Sequence, residues 1–186
     1  MVSHIVPKTL MIALLVVPLS IGLLSGCVEV DDDEPTGENF QFTLLDGTQV
    51  ELRDYQGKIV ILDMWATWCG PCTYQLSELK LAYEAYDRST LEIISLNIDE
   101  REDSQTIYDF IEDFKNQFGI ELDWVFGQDD GSVWESYMIN GGIPTLYIFD
   151  QNGQIHFSHE GLSFFSEIPE NFPDGETLQE KIEELL

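Results

Sequence analysis

Eight residues, KIVILDMW (58–65), form an almost unbroken apolar, largely β-branched run that ends directly against ATWCGPC (66–72). A run this short, without polar alternation, suits a strand buried on both faces of a sheet. Just beyond it, Leu76, Leu79, Tyr83 and Tyr86 fall at i, i+3, i+7 and i+10, the stripe of a helix packed on that sheet. A strand that needs cover on both faces and a helix that covers one of them require an α/β layer structure. Two of the chain's three cysteines, Cys69 and Cys72, lie where the strand hands over to the helix.

The same alternation runs on. FQFTLLDGTQVEL (40–52) alternates around Asp46-Gly47 and predicts a β-hairpin ahead of the buried strand. LEIISLNID (91–99) is a second buried strand. Ile107, Phe110, Ile111, Phe114 and Phe118 then make a helical stripe for which Asp103 or Ser104 is the cap. A short helix is expected over 132–139. TLYIFD (145–150) and QIHFSH (154–159) are strands joined by Asn152-Gly153. A last helix carries Leu178, Ile182 and Leu185, with Asp174 as its cap. Trp65, Trp124, Trp134 and the Phe110/Phe114/Phe118 stripe are expected in the core. The fold class is a mixed α/β sheet flanked by helices, and 186 residues suit one folded domain, placed at 39–186.

Residues 1–26 stand apart from it. Lys8 precedes the uncharged run LMIALLVVPLSIGLL (10–24), broken by Pro18 and Gly22, the layout of a secretory signal rather than a membrane span. Leu24-Ser25-Gly26-Cys27 resembles the lipobox of prokaryotic lipoproteins, which implies a lipidated Cys27 as the first mature residue and attachment to the membrane outside the cytoplasm. The alternative is an uncleaved N-terminal membrane anchor. Residues 27–38 are rich in acid, with Pro35 and Gly37, and have the composition of a solvated tether. With 35 acidic and 8 basic residues the net charge is −27, which repels phosphate backbones and excludes nucleic acid as a partner.

If Cys27 carries lipid, Cys69 and Cys72 form a self-contained pair. A structural zinc site takes about four ligands, and the chain offers this one pair plus His156 and His159 on the closing strand, read as solvated polar positions; no metal is expected. As a staple, a disulfide across two residues closes too small a loop to constrain the unfolded chain. Redox exchange, by contrast, uses the spacing. Cys69 would sit at the N-terminal end of the helix, where free N–H groups and the dipole stabilise a thiolate, the nucleophilic form. Cys72, about one turn on, would be sheltered and placed to resolve the mixed disulfide. Pro71 fits the first turn, where its missing N–H is not needed.

With those residues in view, ILDMWATWCGPC resembles the active-site strand, turn and helix of the thioredoxin superfamily, and GGIPTLYIF (141–149) is similar to its second signature, a cis proline after a branched apolar residue. The resemblance runs from about Phe40 to His159. It implies a thioredoxin fold with an added N-terminal hairpin, a cis Pro144 facing the cysteines, and an Ile143 backbone that pairs with a partner peptide. Cys69 would then be the nucleophile and Cys72 the resolving thiol, with Trp68, Gly70, Pro71, Ile143 and Pro144 meeting the substrate.

The N-terminal hairpin, the exported context and the long segment between LNID and GGIPT resemble the membrane-tethered TlpA/ResA-like branch of thiol-disulfide oxidoreductases. That branch commonly has a glutamate and a proline where this chain has Gln75 and Ser77. Asp63, six residues before Cys69, matches instead the buried aspartate of ordinary thioredoxins, and Ser95 stands where those proteins place a lysine. Flanked by Ile61, Leu62, Met64 and Trp65, Asp63 is partly desolvated and is assigned as the proton acceptor for Cys72.

The function expected is exchange of disulfides with other proteins, as a reductant, with apocytochromes before haem attachment as one candidate substrate. No cofactor is needed beyond the Cys69–Cys72 pair, and electrons must come from an unidentified donor in the membrane. Two alternatives are a copper- or haem-handling chaperone on the same fold, and a thiol peroxidase, for which the threonine expected three residues before the cysteine is replaced by Ala66.

Overall fold

The computed structural model describes residues 38–172 and 175–186. The expected signal segment, Cys27, the tether up to residue 37 and Asp174 lie outside them. A hairpin of β1 (Gln41–Leu44) and β2 (Gln49–Glu51) leads through a 3₁₀ turn at Leu52–Tyr55 to β3 (Ile59–Trp65). Then follow α1 (Gly70–Ala85), β4 (Leu91–Asn97), α2 (Ser104–Phe118), β5 (Val125–Gln128), α3 (Ser132–Tyr137), β6 (Thr145–Phe149), β7 (Ile155–Glu160) and α4 (Leu178–Glu183). The strands form one sheet in the order β2-β1-β5-β4-β3-β6-β7.

β3 explains why its sequence shows no alternation. It lies between β4, to which it is parallel, and β6, to which it is antiparallel, and all seven of its residues are buried. Ile59, Ile61 and Trp65 face one core with Leu76 and Leu79 of α1, Ile107 and Phe114 of α2, and Leu178 and Ile182 of α4. Val60, Leu62 and Met64 face the other with Phe40, Phe42, Leu52, Val133 and Tyr137. Both sides are apolar because both are covered. Asp63 lies between Ile61 and Trp65 on the side of α1.

The hairpin is part of this sheet. β1 pairs antiparallel with β2 on one side and with β5 on the other. Sequence patterning missed β5, a four-residue strand that contains Gly127. That glycine is a packing requirement: a Cβ there would meet Phe42 Cδ2 at 2.7 Å and the Thr43 carbonyl oxygen at 2.9 Å, so only glycine lets β1 approach.

Helix ends differ from expectation in two places. Asp103 caps α2 by accepting from the Thr106 N–H, and Gly119 closes that helix in the left-handed region. Phe118, expected in the core, is 47% exposed, carried out on this last turn with its ring against Phe114. α4 is capped by Thr177 rather than Asp174, through a reciprocal capping box with Glu180. At six residues α4 is too short to persist alone. Burial of Leu178 and Ile182, about 2 kcal/mol each, ties it to the sheet.

Candidate active site

β3 ends at Trp65 and α1 begins at Gly70, so the intervening residues turn sharply at the C-terminal end of this interior strand. Cys69 is the N-cap of α1, and its Sγ accepts from the backbone N–H of Cys72 at 3.2 Å. The orphan donors and dipole of the helix end therefore point at sulfur, which favours a thiolate. Cys69 is 5% exposed and Cys72 fully buried, so of the two sulfurs only that of Cys69 lies in a residue open to solvent. The two are joined in a disulfide with their Cα atoms 5.2 Å apart. Gly70 and Pro71, the first two helical residues, are exposed above them.

The second signature comes to the same place. The Ile143–Pro144 peptide bond is cis, and the Ile143 carbonyl oxygen lies 3.7 Å from Cys69 Sγ. Residues 74 positions apart in the chain thus share one site. Two groups hold this loop that sequence reasoning did not find. Glu160, at the end of β7, accepts from the backbone N–H groups of Asn140 at 2.7 Å and Gly142 at 3.0 Å, and those N–H groups, Gly142 first, hold its carboxyl below the usual range. Thr145 Oγ1 donates to the Gly142 carbonyl. Neither residue belongs to a recognisable spacing.

Asp63 is fully buried beneath the site. Its Oδ2 accepts from the Ser95 hydroxyl at 2.9 Å, while Oδ1 has no hydrogen-bond partner among the described residues. Burial raises its pKa to about 7, against the opposing pull of the Ser95 hydrogen bond. A carboxyl in that range takes up and gives back a proton at neutral pH.

Residues 36–158, more than half of the chain, match the AhpC/TSA family. The chain belongs to the AhpC/TSA family. Within its relatives, the thiol-disulfide oxidoreductase ResA of Geobacillus kaustophilus is 32% identical over 120 residues, covering 64% of this chain and 64% of that one. The chain thus spans just under two thirds of the length of this relative. A Chlorobium tepidum protein assigned as thiol:disulfide interchange protein DsbE has a crystal structure that aligns with a TM-score of 0.63 at 24% identity, over 80% of this chain and 94% of its own. The thioredoxin domain of a thiol-disulfide oxidoreductase from Bacteroides vulgatus aligns with a TM-score of 0.56 at 25% identity, over 67% and 86% of the two chains. The fold is that of thioredoxin.

In this AhpC/TSA chain the remaining site residues fall into two groups around Cys69. On one flank, Trp68 is 61% exposed, and its indole N–H donates to Asp99 Oδ2 at 2.7 Å. Hydrogen bonds from the Arg101 side chain and then from Trp68 hold the Asp99 carboxyl well below the usual range. Glu102 accepts from the Thr67 backbone N–H at 3.1 Å, from the Thr67 hydroxyl and from the Asn97 amide at 2.6 Å. The turn before the cysteines is thus tied to the loop after β4.

On the other flank Gln75 is fully buried, and its amide forms two hydrogen bonds to the backbone of Ser163, accepting from N–H at 2.8 Å and donating to C=O at 3.1 Å. Glu78 accepts from the Phe165 N–H at 2.8 Å. The segment after β7 is strapped to α1 in this way, and beside it Leu162, Phe164, Ile168 and Phe172 line an apolar groove of about 320 Å³. Trp65 is fully buried against Phe110 and Phe126, in the core as expected.

Proposed function

We propose that this chain is a protein thiol-disulfide oxidoreductase working through Cys69 and Cys72. The observation that carries the reading is the pairing of a helix-capping Cys69 with a buried Cys72 one turn on, beneath the Ile143–Pro144 loop. In the reducing direction the Cys69 thiolate attacks a sulfur of a partner disulfide. The partner's S–S bond breaks, one partner thiolate leaves, and a mixed disulfide to Cys69 forms. Cys72 then loses its proton to the Asp63 carboxylate and attacks Cys69 Sγ. That step expels the second partner thiol as thiolate and closes the Cys69–Cys72 disulfide, so two electrons have passed to the partner.

The substrate face is built from Trp68, Gly70, Pro71, Ile143 and Pro144. A Cβ at Gly70 would meet no atom within 4 Å, so packing inside the chain does not require glycine there, and its small size leaves room for the partner. The Ile143 carbonyl offers the partner's extended backbone a hydrogen-bond acceptor in the manner of strand addition. Reduction of apocytochrome disulfides is one task this chemistry suits. Residues 1–27 support attachment outside the cytoplasm through a lipidated Cys27, with electrons from a membrane dithiol donor. Among the described residues no helix is long and apolar enough to cross a membrane. The peroxidase reading gains no support, because Ala66 holds the position expected to carry a threonine and the hydroxyl of the adjacent Thr67 is engaged by Glu102.

The test is Cys72→Ser in the full chain, expressed in cells. Without the resolving thiol, partners are expected to accumulate as mixed disulfides on Cys69, released by dithiothreitol and absent from the Cys69→Ser/Cys72→Ser double variant. Failure to trap any protein would overturn the proposal.

A further inference from the structure

Two buried side chains hydrogen-bonded in series, Trp124 to Ser95 and Ser95 to Asp63, make Asp63 more than an isolated acid. Asp63 and Ser95 are directly opposite one another in the parallel pairing of β3 with β4, so both side chains lie on the α1 side of the sheet. Ser95 is fully buried and donates to Asp63 Oδ2 at 2.9 Å. Behind it the indole N–H of Trp124, one residue before β5, donates to Ser95 Oγ at 3.0 Å. Trp124 is itself held by two rings, stacked on Phe126 at 5.5 Å and tilted against Tyr83 at 5.5 Å.

We infer that Ser95 and Trp124 are positioning residues for the proton step: Trp124 locks the Ser95 hydroxyl so that it donates to Asp63 Oδ2, which leaves Oδ1 as the atom that receives the proton of Cys72. An indole nitrogen is a donor only, whereas a hydroxyl both donates and accepts. Trp124 takes one of the two lone pairs of Ser95 Oγ and so fixes the rotation of the hydroxyl, with its hydrogen on the Asp63 carboxylate. A free serine would turn when Asp63 is protonated and accept that proton's hydrogen bond, stabilising the neutral acid. The locked serine favours the carboxylate at all times. It therefore opposes the burial of Asp63 and keeps the acid able to release its proton near neutral pH.

The surroundings leave this hydrogen bond without competition. β6 places Leu146 opposite Asp63, and α1 contributes Cys72 to the same core as Ile61 and Trp65. Burial and the Ser95 hydrogen bond are the causes that set the Asp63 charge, with no basic or acidic side chain among them. The lysine position of ordinary thioredoxins is thus filled by a neutral pair, Ser95 within β4 and Trp124 just ahead of β5.

This inference rests on Asp63 as proton acceptor, and the experiment separates the two. The midpoint of Asp63 is followed by carboxyl ¹³C NMR in the oxidised protein, and the rate of mixed-disulfide resolution is followed against pH. Ser95→Ala is expected to raise the midpoint by about one pH unit, the size of a lost hydrogen bond to a charged group. Trp124→Phe is expected to raise it less, because Ser95 is then free to turn. The Ser95→Ala/Trp124→Phe double variant should match Ser95→Ala alone, since Trp124 acts through Ser95.

An unchanged midpoint in Ser95→Ala would overturn the relay, as would additive shifts in the double variant. Ser95→Ala decides alone should Trp124→Phe not fold. Asp63→Asn reports on the underlying reading: the rise of rate with pH should vanish. If it persists in Asp63→Asn, Asp63 is not the acceptor whatever Ser95 does. If it vanishes there yet keeps its midpoint in Ser95→Ala, the acceptor stands and the relay falls.

Discussion

At the scale of one residue, Asp63 is held where burial works against its charge, and that has a consequence for stability as well as for chemistry. A carboxyl titrates near 3.9 in an unfolded chain, whereas in the folded protein burial raises Asp63 to about 7. Between those values the folded state holds a proton that the unfolded state has released, so stability falls as pH rises across the window and is level above it. The stabilising protonated form is fully present below the unfolded value and lost as pH passes about 7. The cost is on the order of 4 kcal/mol at pH 8. Asp63→Asn, neutral at every pH, should therefore raise the urea midpoint of the oxidised protein at pH 8 and leave it nearly unchanged at pH 4. Equal midpoints at pH 8 would mean that the buried carboxylate carries no such cost.

At the scale of an element, α1 does three things with three of its faces. Its N-terminus receives Cys69 Sγ, its apolar stripe of Leu76, Leu79 and Ala82 closes the core, and Gln75 and Glu78 strap down the segment after β7. Gln75 fits the strap because a neutral amide satisfies both backbone groups of Ser163 at once. Gln75→Ala would leave both buried without a partner, a loss of about 3 kcal/mol, read as a lower urea midpoint and faster hydrogen exchange at the Ser163 amide. Gln75→Glu makes the opposite point about charge. Its protonated form can replace both hydrogen bonds, while its carboxylate would face the Ser163 carbonyl, so this variant should approach the parent at low pH and weaken as pH rises. A pH-independent loss would show that shape rather than charge governs the position.

At the scale of the whole molecule the dominant fact is the net charge of −27. Surface pairs such as Lys115–Glu121 and Lys80–Asp123 relieve little of it, because solvent screens them. Self-repulsion is the larger effect, and salt screens it over about 10 Å at 0.1 M. The melting temperature should therefore rise by about 5 °C between 10 mM and 500 mM NaCl; a fall would mean that the ion pairs outweigh the repulsion. Much of this molecule is legible along the chain. The almost unbroken apolar run of β3, the helical stripe of α1 and the Cys-Gly-Pro-Cys spacing are local signals, because strand burial and helix amphipathicity repeat within a few residues. What the chain could not display was anything made by residues far apart. β5 is too short to announce itself, and its Gly127 has meaning only once Phe42 packs upon it. Glu160 is one acid among 35 until the fold aims it at the loop before Pro144. The sequence alone determined the spacing of the two cysteines, the strand that precedes them and the acid within that strand. Only the tertiary structure decided how the acid is held, because the Trp124–Ser95–Asp63 relay joins three segments that meet nowhere but in the folded sheet.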